Sequence, residues 1–192
     1  MQKITVGVIS DTHMPQRWLN LPESIFDLFN DVDMIIHAGD VGELWVLDEL
    51  SRCAPVIAVH GNDESEAARA ALPFLQTISV AGQRVTISHG HYPDRKEELT
   101  QRKFDAWEPK LSRWASMAKA NGSSIFVYGH IHIPMALEHD GVLLVNAGAL
   151  ASGGMTSRQT VQTLAKMVFD PSAAPGTRPT VTHYDMFTGA VY

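Results

Sequence analysis

The sequence predicts an α/β protein whose sheet begins parallel and becomes mixed, and three observations lead there. Over the first sixty residues, short apolar runs alternate with single helical segments, the pattern of strands joined by crossovers. Further on, two apolar runs flank Ala81-Gly82-Gln83, which reads as a hairpin and so adds an antiparallel pair. Finally, Asp, Asn and His residues recur wherever a predicted strand runs into a Gly- or Asp-marked loop, so chemistry-bearing side chains would gather along one rim.

The elements follow in order. Ile4–Ile9 is a short apolar run, Pro22–Asn30 carries Ile25, Leu28 and Phe29 at helical spacing, Met34–Ile36 is strand-like, Glu43–Leu50 helical, and Val56–Val59 again strand-like. A short polar helix near Glu64–Leu72 precedes the hairpin strands Leu75–Val80 and Arg84–Ile87. Asp94 to Asn121 is the main helical stretch, interrupted at Pro109. Its residues Trp107, Leu111, Trp114 and Met117 form an apolar stripe, which favours a core-packing crossover over a lid that stacks a base or aryl group. Asn121-Gly122 ends that stretch as a C-cap pair. Strand signals resume at Ile125–Tyr128, Ile133–Leu137 and Val142–Val145, with His139-Asp140-Gly141 as a turn. Asn146–Ser157 reads as a loop, and Thr160–Phe169 with Thr180–Tyr184 as a last hairpin across the Pro/Ala/Gly break Asp170–Pro179. We expect one domain, residues 1–192.

Composition narrows the classes. The 192 residues can bury roughly 70% of the unfolded chain's surface without staples. With 45% hydrophobic and 19% charged residues and no apolar run near ~20 residues, a membrane span is not expected. The start MQKITVGVIS lacks the zones of a secretory signal, so a cytoplasmic protein is expected. The single cysteine, Cys53, excludes an intramolecular disulfide and a Cys-rich zinc module. A net charge of −6 argues against long-range attraction to nucleic-acid phosphates, although divalent cations in a site would reverse the local field for a phosphate substrate.

The strand-end residues carry the chemistry. Asp11 and His13 follow the first strand, Asp40 the second and Asn62 the third; His89, and then His130 and His132, follow two later strands. Mixed oxygen and nitrogen donors suit Mn, Fe, Ni or Zn ions rather than the all-oxygen preference of Mg or Ca. Any one such residue is an ordinary loop residue; five strand ends repeating the pattern are a metal site.

Taken in order, D-T-H, G-D, G-N-D, H-G-H and G-H-I-H resemble the signature of the calcineurin-like metallophosphoesterase superfamily. The likeness is to its small single-domain phosphodiesterase branch, related to the retromer scaffold subunit. It runs from about Ile4 to Ala149, since Asn146-Ala-Gly-Ala149 stands where that branch carries N-P-G-S. The resemblance implies a four-layer α/β/β/α sandwich of two mixed sheets flanked by helices, with a dinuclear metal site at the strand C-terminal rim. It assigns Asp11, His13, Asp40 and His132 to one ion and Asp40, Asn62, His89 and His130 to the other, Asp40 bridging. Two divalent transition-metal ions would act, manganese first, with nickel, iron or zinc as alternatives. The implied reaction is hydrolysis of a small phosphate ester, a phosphodiester first, by in-line attack of a metal-bridging hydroxide; nucleic acid enters only as a substrate, and self-association is allowed.

Asn62, Asp63 and His91 are the candidate catalytic residues. Asn62 would orient the phosphate, and His91 would contact it from two residues beyond His89. Many superfamily members place a proton-donating histidine where Asp63 stands, and an ionised carboxylate donates no proton unless burial raises its pKa. The arginine that often follows the G-D motif is absent, with Val41-Gly-Glu-Leu-Trp in its place. Arg17, Arg69 and Arg95 lie near motif loops as other phosphate contacts, and His37, His60, His139 and His183 are expected to be structural or solvent-facing. Two competing readings are a non-catalytic protein-binding scaffold with a vestigial or structural metal site and a mononuclear metal-storage protein.

Overall fold

The computed structural model describes residues 2–102, 106–151 and 159–192. Its first half alternates β1 (Ile4–Ile9), α1 (Glu23–Leu28), β2 (Met34–His37), α2 (Trp45–Leu50), β3 (Val56–Ala58) and α3 (Glu66–Ala71). The hairpin β4 (Leu75–Val80) and β5 (Gln83–Ser88) follows, then α4 (Arg95–Arg102), α5 (Trp107–Ala120), β6 (Ile125–Tyr128), β7 (Met135–His139), β8 (Val142–Asn146), β9 (Thr163–Phe169) and β10 (Thr180–Asp185).

These strands form two five-stranded sheets, ordered β10-β9-β1-β2-β3 and β4-β5-β6-β8-β7. Both are mixed. In the first, β1, β2 and β3 are parallel and β9 and β10 antiparallel; in the second, β5, β6 and β8 are parallel and the edge strands β4 and β7 antiparallel.

Side-chain alternation stacks the sheets. On β1, Val6 and Val8 point into a core shared with Val85 and Ile87 of β5 and Ile125 and Val127 of β6, so the sheets meet face to face. The opposite face buries Ile9 and Ile35 against Ile25 and Phe29 of the α1 region and Val46 and Leu50 of α2. Beyond the second sheet, Phe126, Tyr128 and Leu144 pack under Trp114, Ala115 and Ala118 of α5. The result is the expected four layers, and strands buried on both faces explain the continuous apolar runs. Among the described residues, no helix is long and apolar enough to cross a membrane.

Both tight hairpins use two left-handed residues, Ala81-Gly82 (φ 48° and 79°) and Asp140-Gly141 (φ 50° and 74°), whose twist suits flanking strands. Asn121 caps α5, and Gly122 follows at φ 66°. Pro109 corrects an expectation: it does not interrupt a helix but lies in the first turn of α5, where a missing N–H leaves no intrahelical bond unmade. The break lies earlier, between α4 and α5, and residues 103–105 there are outside the described residues. So is 152–157 of the expected loop Asn146–Ser157, whose first residue instead ends β8. Trp114 is core, its ring 4.2 Å from that of Tyr128 and its Nε1–H donating to Gly90 O at 2.9 Å; Trp107 packs half-buried on the same cluster.

Candidate metal centre

Where β1, β2 and β3 end, their loops stay side by side. Asp11 N–H donates to Gly39 O (2.9 Å), His13 N–H to Asp40 O (3.0 Å) and Met14 N–H to Val41 O (3.2 Å), continuing the parallel pairing beyond the strands. This close approach is possible because of glycine: a Cβ on Gly61 would collide with Asp40 Oδ1, and one on Gly129 would come within 2.7 Å of Asp11 Oδ2.

The donors converge on this rim. His132 Nε2 lies 3.2 Å from Asp11 Oδ1, and His13 Nε2 3.9 Å from it. His89 Nε2 lies 3.2 Å from Asp40 Oδ2 and 3.8 Å from Asp11 Oδ1, while His13 Nε2 is 3.6 Å from Asp40 Oδ2. Among the described residues this gives two groups with metal-binding spacing, Asp11/His13/His132 and Asp11/Asp40/His89. Asp11 belongs to both, and Asp40 Oδ2 lies between an imidazole of each. His130 stands beside them, its ring centroid 5.1 Å from that of His89, and its N–H donates to the Asp11 carboxylate at 3.1 Å. Asn62 adds a buried Oδ1 with no hydrogen-bond partner.

Backbone conformation marks the same residues. Among the described residues, seven that are not glycine have positive φ; two, Ala81 and Asp140, make hairpin turns, and the others are Asp11, His13, Asp40, His130 and His132. Conformations that disfavour side chains persist where the surroundings impose them, and here they aim donors.

Each of the four imidazoles has one nitrogen held on an oxygen. His89 Nδ1 is 2.8 Å from Ala38 O, His132 Nδ1 3.2 Å from Gln159 Oε1, His13 Nδ1 3.2 Å from Asp63 Oδ2, and His130 Nε2 2.7 Å from Glu98 Oε1. With that outer N–H held on an oxygen, the rings of His13, His89 and His132 have their tautomers set so that Nε2 can offer a lone pair to a metal. His89 Nε2, completely buried, makes no hydrogen bond of its own.

The electrostatics also ask for a cation. Burial would raise the Asp11 and Asp40 carboxyls, but the surrounding imidazoles, His89 foremost, hold both below the usual carboxylate range. Burial would lower His89, yet Asp40 and Asp11 push it up to about 10. Two buried carboxylates thus stay charged beside the imidazoles that balance them, and such mixed oxygen and nitrogen donors could hold a divalent metal ion.

The catalytic candidates separate. Asn62 and His91 line a cleft beside the donors. His91 is buried and its imidazole is lowered to about 3, by burial first and then by His89 and His130, which keeps it neutral. Asp63 stands at the surface, its side chain 74% exposed and its carboxylate 3.2 Å from His13 Nδ1. Its N–H donates to Asp40 Oδ1 at 2.7 Å. Of the histidines without a site role, His37 is buried with Nε2 3.1 Å from Thr12 Oγ1, while His60, His139 and His183 bond Gly61 O, Ser112 Oγ and Asn146 O.

Sequence reasoning missed the residues that brace the donors. Glu64 accepts from Val41 N–H (3.0 Å), Gly42 N–H (2.8 Å) and Gly61 N–H (2.8 Å), tying the second and third loops together. Glu98, 7% exposed, bonds His130 through one oxygen and Tyr92 N–H through the other at 2.9 Å. The one available signal for Glu98 was its place beside Leu99, the single apolar residue of the polar helix α4.

A rim of buried carboxylates and oxygen-tethered imidazoles, set where two stacked sheets meet, defines a candidate metal-binding site on an α/β/β/α fold. Residues 4–166 match the calcineurin-like phosphoesterase superfamily domain, and this chain belongs to that superfamily. A probable metallophosphoesterase of Methanothermobacter thermautotrophicus is 33% identical over 145 residues, covering 75% of this chain and 76% of that protein. A phosphodiesterase of Methanocaldococcus jannaschii is 27% identical over 158 residues, 74% and 82% of the two chains. Among solved structures, vacuolar protein sorting 29 from Cryptosporidium parvum superposes with a TM-score of 0.75 at 18% identity, covering 99% of this chain and 95% of that one, a likeness of fold.

Proposed function

We propose that this protein is a metal-dependent phosphodiesterase with a dinuclear centre. The observation that carries the reading is the convergence of His13, His89 and His132 Nε2 on the carboxylates of two buried aspartates, Asp11 and Asp40. Asp11, His13, Asp40 and His132 would hold one ion and Asp40, Asn62, His89 and His130 the other; Asp40 Oδ2 lies 3.6 Å from His13 Nε2 and 3.2 Å from His89 Nε2. Bound ions, manganese first, supply Lewis acidity that lowers the pKa of a water and offsets charge on phosphoryl oxygens.

The chain's own residues then divide the work. Asn62 orients the phosphate through its amide, and neutral His91, walled in by Phe74, His60 and His89, offers a hydrogen bond without adding charge. No buried acid stands at position 63 to protonate a leaving group, so esters of acidic alcohols are the favoured substrates. Aryl diesters should outpace alkyl diesters by orders of magnitude; chemistry-limited turnover independent of leaving-group pKa would overturn this part.

The whole reading is tested by stripping the protein of metal, reloading it with Mn, Ni, Zn or Mg, and screening phosphate esters. Hydrolysis of an aryl diester with a transition ion is expected. Hydrolysis of no ester with any metal moves the assignment to a protein-binding scaffold, the reading that the vacuolar protein sorting 29 likeness keeps in view.

A further inference from the structure

A cleft of about 380 Å³ opens beside the donors, between the segment after β3 and helix α4. Asn62 and His91 line it, and His91 keeps a buried Nδ1 without a hydrogen-bond partner. His91 is only 5% exposed, so an unpaired atom there is costly unless a ligand satisfies it.

Two cations line the same cleft, Arg69 from α3 and Arg95 from the first turn of α4. Arg69 donates one Nη2–H to Asn62 O at 3.0 Å, which anchors its guanidinium beside Asn62 and leaves other N–H groups of the fork for a ligand. On α4, Arg95, Glu98 and Leu99 fall at i, i+3 and i+4, one face of the helix, and all three line the cleft. The two carboxylates in the lining are engaged elsewhere, Glu98 with His130 and Tyr92 N–H and Asp63 with His13. The arginine absent after Asp40 finds no substitute in its own loop, where Val41 is fully buried.

We propose that this cleft is a second anion subsite: Arg69 and Arg95 bind a phosphate that the substrate carries in addition to the one hydrolysed. The proposal rests on the phosphoesterase reading and names its substrate class, phosphate esters bearing a further phosphate. Leu99, 49% exposed, supplies an apolar surface for the organic group between the two phosphates.

The test compares adenosine 3′,5′-bisphosphate with AMP as calorimetric ligands of the full-length, manganese-loaded protein, for wild type, Arg69→Ala, Arg95→Ala, the double variant and Arg95→Lys. Wild type should bind the bisphosphate at least about tenfold more tightly than AMP, as an extra charge-assisted contact allows. The double variant should lose most of that ratio while AMP affinity falls far less, and Arg95→Lys should retain part of it. A wild-type ratio near one, or an unchanged ratio in the double variant, overturns the subsite. Hydrolysis of bis(p-nitrophenyl) phosphate by the wild type, measured alongside, scores the phosphoesterase reading separately, because the binding ratio needs no turnover.

Discussion

The two sheets contribute unequally to the rim they share. The first delivers Asp11, His13, Asp40 and Asn62 from three successive parallel strands, so it supplies both carboxylates and the amide. From the second come only imidazoles, His89 after β5 and His130 and His132 after β6. The bracing differs as well. Donors of the first sheet are fixed mainly by backbone bonds between adjacent loops, with Glu64 as a clasp, whereas those of the second rely on distant partners: Ala38 across the sheet interface, Glu98 on α4 and Gln159 before β9. One sheet therefore sets the charge of the centre, and the other sets its nitrogen geometry by reaching out to the rest of the molecule.

Removing charge from the first sheet should have the largest effect. Asp40→Asn keeps an oxygen for the Asp63 N–H but removes a negative charge beside His13 and His89, and it should lower kcat/KM for an aryl diester on the order of 10³-fold. Metal content by mass spectrometry should fall with it; a fully loaded, active variant would show that Asp11 alone carries the charge.

Cutting a tether of the second sheet comes next. Glu98→Ala frees His130 without touching a donor, and loss of such outer partners costs about 10–100-fold in metal affinity or activity. Affinity measured by competition with a chelator should drop while the Asp11/His13/His132 group keeps its ion. Equal loss of both ions would mean that the tether is not local to His130. Asp63→Ala removes the corresponding partner of His13, but its side chain is 74% exposed, so the expected cost is less than about fivefold in affinity.

The smallest effect sharpens the role of the interface. Ile36 and Ile35 are neighbours on β2 with opposite faces, Ile36 in the inter-sheet core and Ile35 against the helices. Each Ile→Val change should cost about 0.5–1.5 kcal/mol of unfolding free energy. Only Ile36→Val should also weaken metal binding, since it alone loosens the packing that spaces oxygen donors from nitrogen donors. Matching metal affinities in the two variants would remove the interface from the account.

Those differences track what the sequence makes legible. The donors are readable because each follows its strand within a few residues and the same pattern repeats at five strand ends. Strand order within the second sheet is not: β8 pairs with β6, and β7 lies outside it, because a Met135–His139 run of alternating exposure fits an edge and Val142–Asn146, buried throughout, fits the interior. The C-terminal hairpin likewise returns to β1, a long-range pairing that no local pattern specifies. The braces stayed hidden for a similar reason. Glu98 and Glu97 are chemically identical neighbours on one polar helix, and packing alone turns the first toward His130 while the second remains exposed. Asp63 shows the converse, a position that a motif comparison singled out and that the fold leaves 74% exposed.

The left-handed conformations at the rim carry an evolutionary consequence. His13 at φ 48° and His132 at φ 59° occupy backbone states in which glycine would be more comfortable by roughly 1–2 kcal/mol. Selection for a hardier fold alone would therefore drift these positions toward glycine, giving a tougher chain that holds no metal. With imidazoles at these two positions the fold stays poorer in stability than its own topology permits, and the difference is invested in a rim that aims its donors.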